Sequence, residues 1–194
     1  MSAANKLPPA MTVAEFLDWQ PPGGGHRWEL VDGTPRAMAP ASPRHGAIQN
    51  EAGRLIGNHL VATRPACRVV TEPGVRPHQV RADHNVRVPD LAITCAPWAS
   101  DEKLLSAPLV LIEILSPSNL KDTWANVWAY VTIPSVQEIL VLHTAEVRAD
   151  LLRRQADGSW PADPTPLGEG DTVDLESVGF AASLTAFYRT SGLA

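Results

Sequence analysis

Lysine is nearly missing from this chain. Only Lys6, Lys103 and Lys121 occur, and arginine supplies the rest of the 16 basic residues. Against 21 acidic residues the formal net charge is −5. A protein that coats nucleic acid nonspecifically carries the opposite excess, so that class is set aside. Cysteine is down to Cys67 and Cys95, with no metal-ligand spacing. Two reduced thiols in a cytoplasmic protein are expected, not a zinc site or a disulfide framework. No apolar run approaches the ~20 residues of a membrane span. The opening MSAANKLPPA lacks the apolar core of a signal peptide, so no membrane partner is expected.

What is present is enough for one folded unit. The 194 residues are 44% hydrophobic, which supports a single domain over 11–194 behind a loose tail at 1–10. Thr12-Val13-Ala14-Glu15 is a capping box, with Met11 and Phe16 placed for a hydrophobic staple. The short helix it opens runs to about Trp19 and is stopped by Pro21-Pro22-Gly23-Gly24-Gly25. A hairpin follows, from His26 through Val31, turning at Asp32-Gly33 and ending near Met38. Ser42-Pro43 starts a helix that reaches about Thr63, with Ile48, Ala52, Leu55, Ile56, His59 and Leu60 as its apolar stripe.

Strands are expected near Cys67–Val75, Val88–Cys95 and Leu109–Leu115. Ser116-Pro117-Ser118 closes the last, and a helix begins near Asn119. One stripe of this helix holds Leu120, Trp124, Val127, Trp128 and Val131, the expected core face. Another holds Asp122, Asn126 and Tyr130, four residues apart each time. Pro134 ends it. Glu138–His143 is a compact apolar strand, and a helix between two strands predicts a parallel crossover. Glu146–Arg154 and a strand around Trp160 flank the turn Asp157-Gly158 as a second hairpin. Val173, Leu175, Val178, Phe180, Leu184 and Phe187 are packing residues of the C-terminal segment. The class is α/β or α+β.

Two carboxylates stand inside apolar runs. Asp90 follows Pro89 in VRVPDLAITC, and Glu113 interrupts APLVLIEILSP. An unpaired buried charge costs several kcal/mol, roughly, after relaxation, so each needs a partner. Consecutive strands give them a common one, a divalent cation, since Mg²⁺ is held by one or two carboxylates plus waters and phosphate. Between Arg64 and Arg87 lie Arg64, Arg68, Arg76, Arg81 and Arg87, with His78 and His84, against Glu72 and Asp83. That segment reads equally as a phosphate-facing patch or as solvated strand and loop arginines.

The stretches Trp28-Glu29-Leu30-Val31-Asp32-Gly33, Ser42-Pro43-Arg44-His45, Val88-Pro89-Asp90 and Ile112-Glu113-Ile114-Leu115-Ser116-Pro117-Ser118 carry a resemblance. In this order they resemble the Uma-type restriction endonuclease family, part of the PD-(D/E)XK nuclease superfamily. The resemblance covers roughly residues 12 to 187. It implies a restriction-endonuclease-like mixed sheet flanked by helices, with the hairpins as additions. It implies a Mg²⁺- or Mn²⁺-dependent endonuclease acting on DNA, with RNA not excluded, and a possible homodimer. Asp90 and Glu113 take the positions of the metal ligands.

The superfamily's lysine, two residues after the second acid, is Leu115 here. Uma-type relatives resemble one another in placing a lysine on the following helix, in a pattern D-x-x-x-K-x-x-x-Y. Here that pattern reads Asp122, Asn126 and Tyr130, so Asn126 fills the lysine position without a charge. Lys121 lies five residues away, about 140° around the helix.

The supporting residues each have two readings. Glu29 is either near the site, as the family motif has it, or an exposed hairpin glutamate. His45 either meets a phosphate or Asp90, or serves as a cap or solvated residue. Gln49 lies one turn beyond His45 on the same face, lining the site or not. Ser116 has no base placed by sequence to activate it. Besides an endonuclease, the chain suits a catalytically weakened nuclease-fold protein that binds nucleic acid or a protein partner. A purely structural Asp90–Glu113 network is a third reading.

Overall fold

A computed structural model describes residues 10–21, 27–78 and 81–193. Residues 1–9 of the tail expected at 1–10, the glycines of the first helix stop and His26 lie outside the described residues.

Local signals set the N-terminal third. Helix α1 (Val13–Asp18) starts where Thr12 accepts from the Glu15 amide and the Glu15 carboxylate accepts from the Thr12 amide. Strands β1 (Trp28–Val31) and β2 (Thr34–Ala37) pair antiparallel. Their turn puts Asp32 at φ 49° and Gly33 at φ 82°, the left-handed pair whose twist matches a two-residue hairpin. Glycine is also required at the second position sterically, because a Cβ there would sit 2.5 Å from the Cβ of Ala10. Helix α2 (Pro43–Thr63) is capped by the Ser42 hydroxyl, which accepts from the His45 amide at 3.2 Å.

The remaining strands are β3 (Arg68–Thr71), β4 (Leu91–Thr94), β5 (Pro108–Leu115), β6 (Glu138–His143), β7 (Ala149–Arg153) and β8 (Thr165–Leu167). They form a six-stranded sheet in the order β3-β4-β5-β6-β7-β8. β5 and β6 are parallel and every other neighbouring pair is antiparallel. Helix α3 (Leu120–Tyr130) is the crossover between the parallel pair. The period of two along β5 splits the core. Val110, Ile112 and Ile114 face α2, while Leu111 and Leu115 face α3. Ile48, Ala52, Ile56 and Leu60 of α2 are fully buried. Each of the larger three contributes about 1.5–3 kcal/mol of transfer free energy, an upper estimate against a compact unfolded chain. Strands β9 (Thr172–Leu175) and β10 (Phe180–Ser183) pair antiparallel, and Val173, Leu175, Val178, Phe180, Leu184 and Phe187 join the α2 face of the core. The architecture is a mixed α+β sheet flanked by few helices, as expected.

Four local expectations are corrected. On α3, Leu120 and Trp128 are 51% and 42% exposed, while Thr123, Val127, Ala129 and Tyr130 are buried. The buried stripe is rotated toward Tyr130, whose hydroxyl finds a polar partner inside, so Trp128 gives up its place. The turn at Asp157-Gly158 forms, but Trp160 is in no strand. Pro161 follows it without an N–H to donate, and the chain rejoins the sheet only at β8. The first sheet strand is shorter than expected, because Glu72 turns out of it at φ 51° before Pro73.

The cysteines are the fourth. The register pairs Arg68 with Thr94, so Cys67 falls opposite Cys95 and the two are disulfide-bonded. The expectation of two free thiols is overturned by strand register, which sequence spacing does not reveal.

Candidate active site

Leu91 of β4 pairs with Ile112 of β5. One step out in the same register, Asp90 faces Glu113, so both side chains share a face of the sheet. They are 7% and 6% exposed. Asp90 is held at both oxygens. Its Oδ1 lies 2.8 Å from His45 Nε2, and its Oδ2 accepts from the Ile114 amide at 2.7 Å. Glu113 Oε1 accepts from the Tyr130 hydroxyl at 2.6 Å. Burial raises the Glu113 pKa well above the usual carboxylate range, and the Asp90 charge raises it further; the Tyr130 hydrogen bond works the other way. Tyr130 is itself pushed well up, by burial first and then by the Glu113 charge, so it remains a hydroxyl donor.

Further hydrogen bonds close around this pair. Glu29 on β1 accepts from the Val88 amide at 2.9 Å and from Asn126 Nδ2 at 3.1 Å. Its pKa is raised by burial, against the lowering effect of the Val88 amide and the Arg87 charge. Gln49 Nε2, one turn along α2 from His45, donates to the Asp90 carbonyl at 3.0 Å and to Glu72 at 3.3 Å. The Glu72 amide donates to the same carbonyl at 3.1 Å, and Glu72 pairs with Arg27. Asp122 stays exposed and acts on the cluster through its charge on Glu29. The structure thus gathers Asp90, Glu113, Tyr130, Glu29, Asn126, His45 and Gln49, and leaves Asp122 at the rim. Lys121 is exposed and Lys103 pairs with Asp18.

Sequence reasoning grouped Arg87 with a surface patch, and that grouping does not hold. Arg68 lies over the Trp98 ring and Arg76 pairs with Asp83, whereas Arg87 is 5% exposed. Arg87 Nη1 donates to the Leu30 carbonyl at 2.5 Å, and its buried Nε has no hydrogen-bond partner among the described residues. Burial lowers its pKa, and Glu29 is the first of the charges that oppose this. The signal was available: Arg87 stands in the same apolar run that makes Asp90 conspicuous, and the burial argument applies to it equally.

The acid pair suits a hard cation. Its donors are carboxylate oxygens, and Glu113 is held against a second negative charge that a cation between them would offset. Among the described residues no three His, Cys, Asp or Glu side chains converge as a ready cage. A groove of about 620 Å³ runs between α2 and the edge strand β3, with Gln49, Asn50, Arg54, Arg68 and Leu91 among its lining residues. Gln49 joins it to the acid site.

A mixed sheet flanked by helices, with paired acids facing each other across β4 and β5, defines a restriction-endonuclease-like fold. The solved structures agree. A "putative nuclease belonging to DUF820" from Anabaena variabilis superposes with a TM-score of 0.73 at 19% identity, over 92% of this chain and 98% of that one. The sequence agrees more specifically, since residues 13–186 match the family Uma2, described as "Putative restriction endonuclease". The chain belongs to that family. It is also similar to the "Uncharacterized protein slr1290" of Synechocystis, 27% identical over 183 residues and 93% of each chain. Among the described residues no helix is long and apolar enough to cross a membrane.

Proposed function

We propose that this protein is a Mg²⁺- or Mn²⁺-dependent endonuclease that hydrolyses DNA phosphodiester bonds. The observation that carries the reading is the cross-strand placement of two buried carboxylates, Asp90 and Glu113, each already fixed by neighbours. Asp90 and Glu113 would hold the cation. When bound, it would polarise the scissile phosphate and activate a water. His45 and the Ile114 amide fix the orientation of Asp90, and Tyr130 fixes Glu113. Gln49 ties the Asp90 backbone to α2, and the groove beside it is the proposed path of the nucleic-acid strand. For double-strand cutting, the proposal has the protein act as a homodimer.

A second reading has its own support. Asn126 is uncharged, and its amide is engaged by Glu29. Cleavage is therefore expected to be slow, since loss of one transition-state charge contact costs on the order of 10²–10³ in rate. At the limit the protein would bind nucleic acid or a protein partner without cutting.

The test is plasmid relaxation with Mg²⁺ for the wild type, Asp90→Ala, Asn126→Lys, and Asn126→Lys with Asp90→Ala. Slow nicking, stopped by chelation and by Asp90→Ala and raised by Asn126→Lys, is the expected result. Nicking that survives Asp90→Ala would overturn the proposal. DNA binding without cleavage in any variant would establish the second reading.

A further inference from the structure

The acid cluster holds more negative charge than one divalent cation neutralises. Asp90, Glu113 and Glu29 together carry three negative charges when ionised, and the charge of Glu29 acts on Glu113. Lysine does not reach them: Lys103 is spent on Asp18 and Lys121 is exposed. Arg27 is paired with Glu72.

Arg87 is different. It is buried, and its backbone is pinned by mutual hydrogen bonds with Val75 at 3.0 and 2.8 Å. Its Nη1 reaches the Leu30 carbonyl, next to Glu29. Among the described residues no carboxylate forms an ion pair with it, and its Nε has no partner. A guanidinium left in this state is costly unless nearby negative charge compensates it. The carboxylate that acts on it most is Glu29; the influences of Asp32 and Arg36 are smaller and opposite in sign to one another.

We propose that Arg87 is the resident cation of this cluster and a positioning residue of the site. It reduces the cluster from three net negative charges to two, the value that a single divalent cation neutralises. This rests on the cation-site reading above and deepens it, because it makes the site a one-cation site with its fixed positive charge on the strand side, three residues before Asp90. Arg87 acts through its charge on Glu29, whose charge in turn acts on Glu113, rather than by contact with a substrate.

The proposal makes an opposed prediction. Damage to a merely structural arginine weakens cation binding. Removal of a like charge from the cluster strengthens it. The experiment is calorimetric titration of the full chain with Mn²⁺ alone. Wild type should bind one Mn²⁺. Arg87→Met should bind more tightly, on the order of tenfold, and Arg87→Lys should stay near wild type. Arg87→Met combined with Asn126→Lys should return toward wild type, since Asn126 also touches Glu29 and the added lysine restores the net charge. Asn126→Lys alone keeps Arg87 and adds a positive charge beside Glu29; it should weaken Mn²⁺ binding. Apo Arg87→Met should gain more thermal stability from Mn²⁺ than wild type does. Weaker or unchanged binding in Arg87→Met, or unchanged affinity in Asn126→Lys, overturns the proposal. Failure of the wild type to bind Mn²⁺ removes the cation-site reading as well, which separates the two failures.

Discussion

Tyr130→Phe isolates one hydrogen bond at the candidate site. The ring sits fully buried among Leu111, Val127, Ile139 and Val141, and phenylalanine keeps those contacts. Only the hydroxyl is lost, and with it the 2.6 Å bond to Glu113 Oε1. A hydrogen bond to a buried charged group contributes about 1.5–3 kcal/mol. The loss falls on the ionised form of Glu113, because this bond lowers the Glu113 pKa against the effects of burial and Asp90. The ionised form is the one that holds a cation. Mn²⁺ affinity should therefore drop about 10- to 100-fold, taking about 1.4 kcal/mol per decade. Calorimetric titration near neutral pH measures it directly. Apo thermal stability at pH 4 should change little, since Glu113 is protonated there in both proteins. Equal Mn²⁺ affinity in wild type and Tyr130→Phe would refute the reasoning, because the hydroxyl would then have no part in holding Glu113 for a cation.

Two other outcomes follow from the same structure. The folded-state pKa of Glu113 is raised, so its contribution to stability is fully present below the unfolded value and is lost as pH rises through the folded one. Apo protein should lose thermal stability as pH rises in that window, Mg²⁺ should restore it, and Glu113→Gln should abolish both effects; pH-resolved thermal melts check this. Cys67 and Cys95 close a loop with a sequence separation of 28, which in the chain-entropy account stabilises by about 3–4 kcal/mol. Cys95 and Asp90 lie beyond opposite ends of β4, about 16 Å apart along the strand. Cys67→Ser with Cys95→Ser should lower the unfolding free energy by up to that amount and leave Mn²⁺ affinity unchanged, as denaturant melts and titration would show.

Local signals were legible in the sequence where one residue type answers one local need. Ser42 and Pro43 mark the start of α2, and its expected end at Thr63 is where it stops, because caps and proline act within one turn. Asp90 and Glu113 were legible because charge inside an apolar strand always demands a partner. What failed depends on neighbours distant in sequence. Whether Trp128 or Tyr130 enters the core is decided by Glu113, which receives the Tyr130 hydroxyl. The Cys67–Cys95 bond depends on the β3–β4 register. Strand β8 is three residues with a proline, too short to stand out, and exists because β7 offers it an edge. Arg87 looked like one of several surface arginines because sequence proximity does not distinguish a strand's inward side chain from a loop's outward one.

The most direct test is where a cation sits. A crystal grown or soaked with Mn²⁺ and measured for anomalous scattering locates the ion without reference to activity. The account predicts one anomalous peak bridging the Asp90 and Glu113 carboxylates, absent in Asp90→Ala. A peak elsewhere with the acid pair empty, or no peak at millimolar Mn²⁺, would contradict it.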